Sequence, residues 1–318
     1  MAIGYVGWSA SKRNFGYGRR LGYAALSALN NKYGCHNHFQ TRHSHHARFA
    51  NFVRWIRDNY AIRDARLITS AHLLAYGEHL LEAVEGSAYS ISYVQNLLST
   101  VNVVMRCLRH DKEVYVSPSQ LVGRRSHVRK TVPEGECHED VKQAAQALEQ
   151  AQNPRAAAVL LLARAFGMRV REASLANLER LYSEAKQYGE CRILEGTKGG
   201  RRCNNRRIPM KEAQWLALEY ALEHSPEGSK NLLWSHETYR YFMCGVINPG
   251  RPIIQSYGLI SYREMRAAFA IEKYEEKAQQ LAPVKHSPVD LVAHLIALDL
   301  VARLLGHNRR HVSRSYVG

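Results

Sequence analysis

The sequence holds no run approaching the roughly 20 apolar residues that a membrane-spanning helix needs, and its opening, MAIGYVGWSASKRNFGYGRR, lacks the apolar stretch of a secretory leader. Both absences point away from a membrane protein or an exported one and toward a cytoplasmic protein. The six cysteines, Cys35, Cys107, Cys137, Cys191, Cys203 and Cys244, include no C-x-x-C pair, which argues against both a zinc site and a disulfide framework. Neither a G-x-S-x-G elbow nor a G-x-x-x-x-G-K-[ST] loop occurs, so hydrolysis by an elbow serine and nucleotide hydrolysis on a phosphate loop are not expected. Acid is scarce at one end: Asp58 is the single carboxylate in residues 1–60.

What is abundant is positive charge. Lys and Arg number 44 against 28 Asp and Glu, a formal net charge of +16 in a chain of 318 residues. Further acid-free basic runs lie at Gly123–Thr131 and Lys198–Arg207. A polyanionic partner follows, nucleic acid or an anionic membrane surface, and patches so far apart in sequence suit wrapping around a duplex. With 46% hydrophobic residues, the length allows two domains, each with a core of its own.

Residues 1–40, rich in Gly, Tyr and Arg, read as a basic arm that orders on DNA, with one short helix around Leu21–Tyr33. Tyr5, Trp8, Phe15 and Tyr17 interleave there with Lys12, Arg13, Arg19 and Arg20, a pattern that fits either a DNA grip or a packed segment. From Thr41 to Tyr60, Phe49, Phe52, Val53 and Ile56 recur at helical spacing, while Arg48, Arg54 and Arg57 fall on other faces. Helices from Thr69 to Val84 and from Ser90 to Leu108 complete a small helical domain over residues 41–121. Residues 122–139 combine Pro, Gly and a basic run including Arg124, Arg125, Arg129 and Lys130, which marks a DNA-facing linker. A second domain, 140–318, reads as helices at Val141–Ala151, Arg155–Phe166, Lys211–Glu223, Tyr239–Met243, Tyr262–Gln280, Pro288–Leu305 and Arg310–Tyr316. These are interrupted by one β-hairpin from Cys191–Leu194 to Arg207–Pro209, whose basic tip carries Arg201 and Arg202. The fold class is mainly α with a small hairpin. The histidines at 36, 38, 43, 45 and 46 read as a polar DNA-facing segment, since no carboxylate accompanies them to hold a metal.

Breaking a phosphodiester without a metal calls for a nucleophile, cationic donors to the phosphate oxygens and an acid for the leaving oxygen. The segment Leu304-Leu305-Gly306-His307, followed nine residues after the histidine by Tyr316, resembles the L-G-H motif and nucleophilic tyrosine of the tyrosine recombinases. Gly167-Met168-Arg169-Val170-Arg171-Glu172 looks like that family's G-[LM]-R-x-x-E segment, and Thr197-Lys198-Gly199-Gly200-Arg201 like its lysine-bearing hairpin. Arg263-Glu264-Met265-Arg266 stands where H-x-x-R is usual. Arginine at 263 cannot readily take up a proton at neutral pH, so Arg263 joins the pocket without being its base.

The resemblance implies a helical core-binding domain of the SAM-like type joined to a recombinase catalytic domain in a C-shaped clamp on DNA. The stretches Leu97–Val104 and Leu121–Ser126 extend it into the first half. It implies that Tyr316 attacks the scissile phosphorus, that Arg169, Arg266 and His307 hold the phosphate, that Glu172 orients Arg169, and that Lys198 protonates the 5′ oxygen. No metal or cofactor is called for. The implied partners are a double-stranded recombination site and three further copies in a tetramer on two such sites, with an accessory DNA-bending protein as an additional candidate. The implied setting is the bacterial cytoplasm, on the nucleoid when acting. A type IB topoisomerase or an inactive DNA-binding descendant would share much of this pattern.

Overall fold

The computed structural model describes residues 7–36, 38–197, 205–307 and 309–318. Contacts divide the chain into two units, Met1–Ser126 and His127–Gly318. Among the described residues no helix is long and apolar enough to cross a membrane.

The first unit is built from α1 (Leu21–Tyr33), α2 (Phe39–Tyr60), α3 (Ser70–Glu85), α4 (Ile91–Arg109) and a single turn, α5 (Pro118–Leu121). Its core joins Leu21, Ala25 and Leu29 of α1, Phe49, Phe52 and Ile56 of α2, Leu73 and Tyr76 of α3, and the apolar stripe Val94, Leu97, Leu98, Val101, Val104 and Leu108 of α4. These positions recur every three or four residues, so each helix buries one apolar face. The residues expected as an arm take part in this core. Phe15 and Tyr17 are buried, the Tyr17 hydroxyl pairs with His110 at 2.9 Å, the Asp64 carboxylate accepts the Asn14 amide at 2.9 Å, and the Asn14 side-chain oxygen accepts the Ala65 amide at 2.7 Å. Apolar area withdrawn from water stabilises the packing of this Gly-rich basic segment.

The second unit centres on α7 (Pro154–Phe166), whose sequence PRAAAVLLLARAF is apolar on every side and which is buried almost throughout. Around it pack α6 (His138–Gln150), α10 (Glu212–Glu223) and α13 (Tyr262–Ala278), and α14 (Leu291–Leu304) lies on α13. The remaining elements are α8 (Val170–Leu175), α9 (Leu178–Tyr188), strands β1 (Glu190–Arg192) and β2 (Arg207–Pro209), α11 (Tyr239–Phe242), α12 (Asn248–Ser256) and α15 (Arg314–Val317). The strands pair antiparallel with Cys191 opposite Ile208. Helix α9, between its Asn177 cap and Gly189, was not anticipated, and neither was the extension of α11 through a π turn at Met243–Ile247 into α12 despite Pro252.

The linker segment after residue 127 also differs from expectation, because it is folded onto the second unit. The Arg129 amide donates to the Arg314 carbonyl at 2.9 Å. The buried guanidinium of Arg164 donates to the Gly135 carbonyl at 2.8 Å and pairs with Glu272 at 2.7 Å. Burial opposes the Glu272 charge, but Arg164 and Lys273 outweigh it and hold that carboxyl at about 2.

Helix α7 ends at Gly167, in the left-handed region at φ +60°, where a Cβ would lie 2.4 Å from the ring of the buried Phe269. Left-handed strain and the clash act together, so Gly167→Ala should cost roughly 2–4 kcal/mol in urea unfolding of the whole protein. A value within about 0.5 kcal/mol of wild type, the usual range for harmless surface changes, would contradict this packing.

Candidate active site

Four chain segments meet at the C-terminal ends of α7 and α14. The left-handed Gly167 stops α7 and turns the chain so that Arg169 becomes the N-cap of α8. Glu172, in the first turn of α8, accepts the Arg169 backbone amide at 2.8 Å on one oxygen and the Arg169 guanidinium at 2.5 Å on the other. A carboxylate at that helical position serves both the orphan amide and the helix dipole. Helix α14 ends in the same way: Gly306 is left-handed at φ +67°, its amide reaches the Arg303 carbonyl at 3.0 Å and the His307 amide reaches Ala302 at 2.7 Å. This glycine-terminated bond pair swings His307 back over the helix end.

Arg266, on α13, is 2% exposed and ties these pieces together. Its guanidinium donates to the Gly167 carbonyl, to the Leu305 carbonyl at 2.6 Å and, through Nε, to the Tyr316 hydroxyl at 3.3 Å. It also faces His307 Nε2 and Glu172 Oε2, each at 3.4 Å. Tyr316 stands on α15, which is anchored by the Val284 amide on the Val317 carbonyl at 2.8 Å. The rings of His307 and Tyr316 are 5.6 Å apart. The pocket therefore holds Arg169, Glu172, Arg266, His307 and Tyr316 together.

The electrostatics follow from three guanidiniums, those of Arg169, Arg206 and Arg266, gathered on one carboxylate. Burial alone would raise Glu172, but Arg206, Arg266 and Arg169 overcome it and hold the group at about 2. Burial, reinforced by the neighbouring Arg206, brings Arg266 down to about 10, which leaves it charged at neutral pH. Burial and then Arg266, Arg169 and Arg206 push His307 down to about 4, so its ring is neutral at pH 7. For Tyr316 burial works against ionisation, yet the charge and hydrogen bond of Arg266, with Arg169 and Arg263, lower the phenol below its ordinary value. A surplus of buried positive charge beside a phenol and a neutral imidazole makes an anion pocket.

Residues 125–272 match the family model for integrases. That stretch is similar to the integrases. Among solved structures, a lambda integrase tetramer bound to a Holliday junction is similar at 14% identity and TM-score 0.56, over 92% of this chain and 75% of that one. A Tn1549 transposon integrase in complex with transposon right end DNA gives 11% identity and TM-score 0.57, over 92% and 93%. At such identities these likenesses concern the fold, which is the tyrosine recombinase fold. No curated protein matches the chain.

Other residues expected at the site fall differently. Arg263 is exposed on α13 and acts on Tyr316 through its field. Lys198, Arg201 and Arg202 lie outside the described residues. Of the expected DNA contacts, Arg54, Arg124, Arg125 and Lys130 are exposed and Arg48 is half-buried. Arg129 is a correction: its guanidinium is committed to Glu264 and to the Thr131 carbonyl at 2.6 Å, with 13% of the side chain exposed, so it braces the linker segment. Arg206 was missed altogether. The signal was its parity with Ile208, since strand residues two apart share a face and Ile208 points into the core.

Glu172 titrates near 4.5 when unperturbed and at about 2 here. The stability its charge contributes is therefore complete above pH 4.5 and lost as the pH falls toward 2. Glu172→Gln should remove that part of the acid dependence and leave buried guanidiniums uncompensated, costing roughly 3–5 kcal/mol at neutral pH. Urea titrations between neutral pH and acid check this; an unchanged acid limb in the variant would contradict it.

Proposed function

We propose that the pocket performs strand cleavage and rejoining with Tyr316 as nucleophile, in a site-specific recombinase that integrates or excises a mobile element. The observation that carries the residue roles is the buried Arg266, which donates to the Tyr316 hydroxyl while sharing Glu172 with Arg169. Arg169, with about a third of its side chain exposed, keeps N–H groups beyond its Glu172 bond for the nonbridging oxygens of a phosphate, and the buried Arg266 adds its positive field where charge grows in the transition state.

The phenol oxygen forms a new bond to phosphorus, the bond from phosphorus to the 5′ oxygen breaks, and a 3′-phosphotyrosyl link results. The phenol proton leaves under the field of Arg266, Arg169 and Arg263. The neutral His307 ring can accept it, which the arginine at 263 cannot. Lys198, in the role the family motif gives it, returns a proton to the departing 5′ oxygen. Because the link keeps the bond's energy, a 5′ hydroxyl from another strand reverses the step without a metal or nucleotide cofactor. Arg48, Arg54, Arg124, Arg125 and Lys130, together with Arg201 and Arg202, are proposed to meet backbone phosphates, which makes affinity fall steeply with salt. The solved lambda integrase is a tetramer on a Holliday junction; four copies of this chain on two duplex sites are proposed likewise, with an accessory bending protein where the site needs one. Matching the integrase family favours joining two sites over relaxation by a topoisomerase-like enzyme or inert binding.

A duplex selected from random-sequence DNA on the Tyr316→Phe protein, then nicked near the bound site, serves as a suicide substrate. Wild-type protein should become covalently attached to it and Tyr316→Phe should not. An adduct that survives in Tyr316→Phe, or none from wild type, would overturn the assignment.

A further inference from the structure

Arg206 sits one residue before β2, is 1% exposed, and is absent from every motif that marks the site. Its guanidinium spans three parts of the pocket. Nε donates to the Leu304 carbonyl at 2.8 Å, one terminal nitrogen donates to the Gly167 carbonyl at 3.1 Å, and the other pairs with Glu172 Oε2 at 2.9 Å. Its stem runs beneath Gly306, where a Cβ would stand 3.0 Å from Arg206 Cδ.

Arg266 makes a parallel set of bonds from the opposite element, to the Gly167 carbonyl, Glu172 Oε2 and the Leu305 carbonyl. The last carbonyls of α14, which the helix itself cannot satisfy, are thus taken by two guanidiniums, at the helix end where positive charge is favoured. Arg266 also reaches Tyr316. Arg206 is shut off from solvent, and these three bonds go to groups that carry other pocket residues: the carbonyl two residues before Arg169, the carboxylate that grips Arg169, and the helix end three residues before His307.

We propose that Arg206 is a positioning residue for strand cleavage: it fixes Arg169 and His307 in register with each other, through Glu172 and the ends of α7 and α14, without touching the phosphate. The planar fork spreads its donors over three nitrogens and so reaches three separated acceptors, whereas an ammonium offers all its donors from a single centre. The inference rests on the recombinase reading above.

The test uses the full chain, the selected nicked duplex, and Arg206→Met and Arg206→Lys. Single-turnover adduct formation yields a rate constant and an amplitude; affinity for the intact duplex is measured at the same salt. A displaced pocket should slow the rate constant about 100-fold in Arg206→Met, a loss typical of catalytic groups shifted by about 1 Å. Affinity should stay within about twofold, because no phosphate contact is lost. Arg206→Lys should keep the amplitude and recover the rate only in part. A purely structural role would lower the amplitude and leave the rate constant at the wild-type value, and that result overturns the proposal; so does a rate loss matched by an equal loss of affinity. If Arg206→Met does not fold, Arg206→Lys carries the test, and a wild-type rate there overturns the proposal. No adduct from wild type would overturn the recombinase reading and this inference together, whereas equal rates in wild type and both variants would overturn this inference alone.

Discussion

The pocket depends on one buried carboxylate. Glu172 is fully buried and receives three guanidiniums and a backbone amide, from Arg169, Arg206 and Arg266. Removing an ion from water is costly unless it is paired and hydrogen-bonded on all sides. Here the carboxylate makes three neighbouring arginines tolerable, and they in turn keep it ionised. Because three positive charges meet one negative charge, the cluster is not neutral. The surplus is available to an anion, and the phenol of Tyr316 and the imidazole of His307 stand inside its field.

The fold supplies this cluster by ending helices. α7 stops at a left-handed glycine that sends Arg169 into the N-cap of α8, and α14 stops at another that turns His307 back over its terminus. The carbonyls that the helices leave unsatisfied at those two ends are where Arg206 and Arg266 bind. The surrounding core, centred on the largely apolar α7, keeps the helix ends in register, which explains how Arg206 and the Leu304 carbonyl, 98 residues apart, share a hydrogen bond of ordinary length.

Much of the catalytic unit was legible because its signals are short in range. Gly167 to Glu172 lies within two turns of chain, and the nine-residue interval from His307 to Tyr316 runs through the turn at Arg310–Ser313 into α15. Helical periodicity likewise located α2, α3, α4, α6, α7, α13 and α14, since each buries one continuous apolar face or is apolar throughout. What escaped depends on distant partners. Only its parity with Ile208 distinguishes Arg206 locally from Arg207, although one is buried against Glu172 and the other is exposed with Glu190. Arg129 looked like a phosphate contact until Glu264 appeared opposite it. Charge at residues 1–40 masked the apolar positions Phe15, Tyr17 and Leu21, whose burial is fixed by α2 and α4 rather than by their neighbours in sequence. Helix α9 did carry its own signals, the Asn177 cap, Leu178, Leu181 and Ala185 at helical spacing and the Gly189 stop, but they lie directly against the hairpin that drew the reading toward strand.

The central claim is that the guanidinium cluster makes Tyr316 more acidic than an ordinary tyrosine even though the residue is buried. Titration of ¹³Cζ-labelled tyrosines by NMR in the DNA-free protein, with the Tyr316 signal identified by its loss in Tyr316→Phe, measures this directly. The account predicts an ionisation midpoint below the free phenol's value of about 10. A midpoint at or above that value would mean that burial prevails over the arginines, and the electrostatic basis of the site would be wrong.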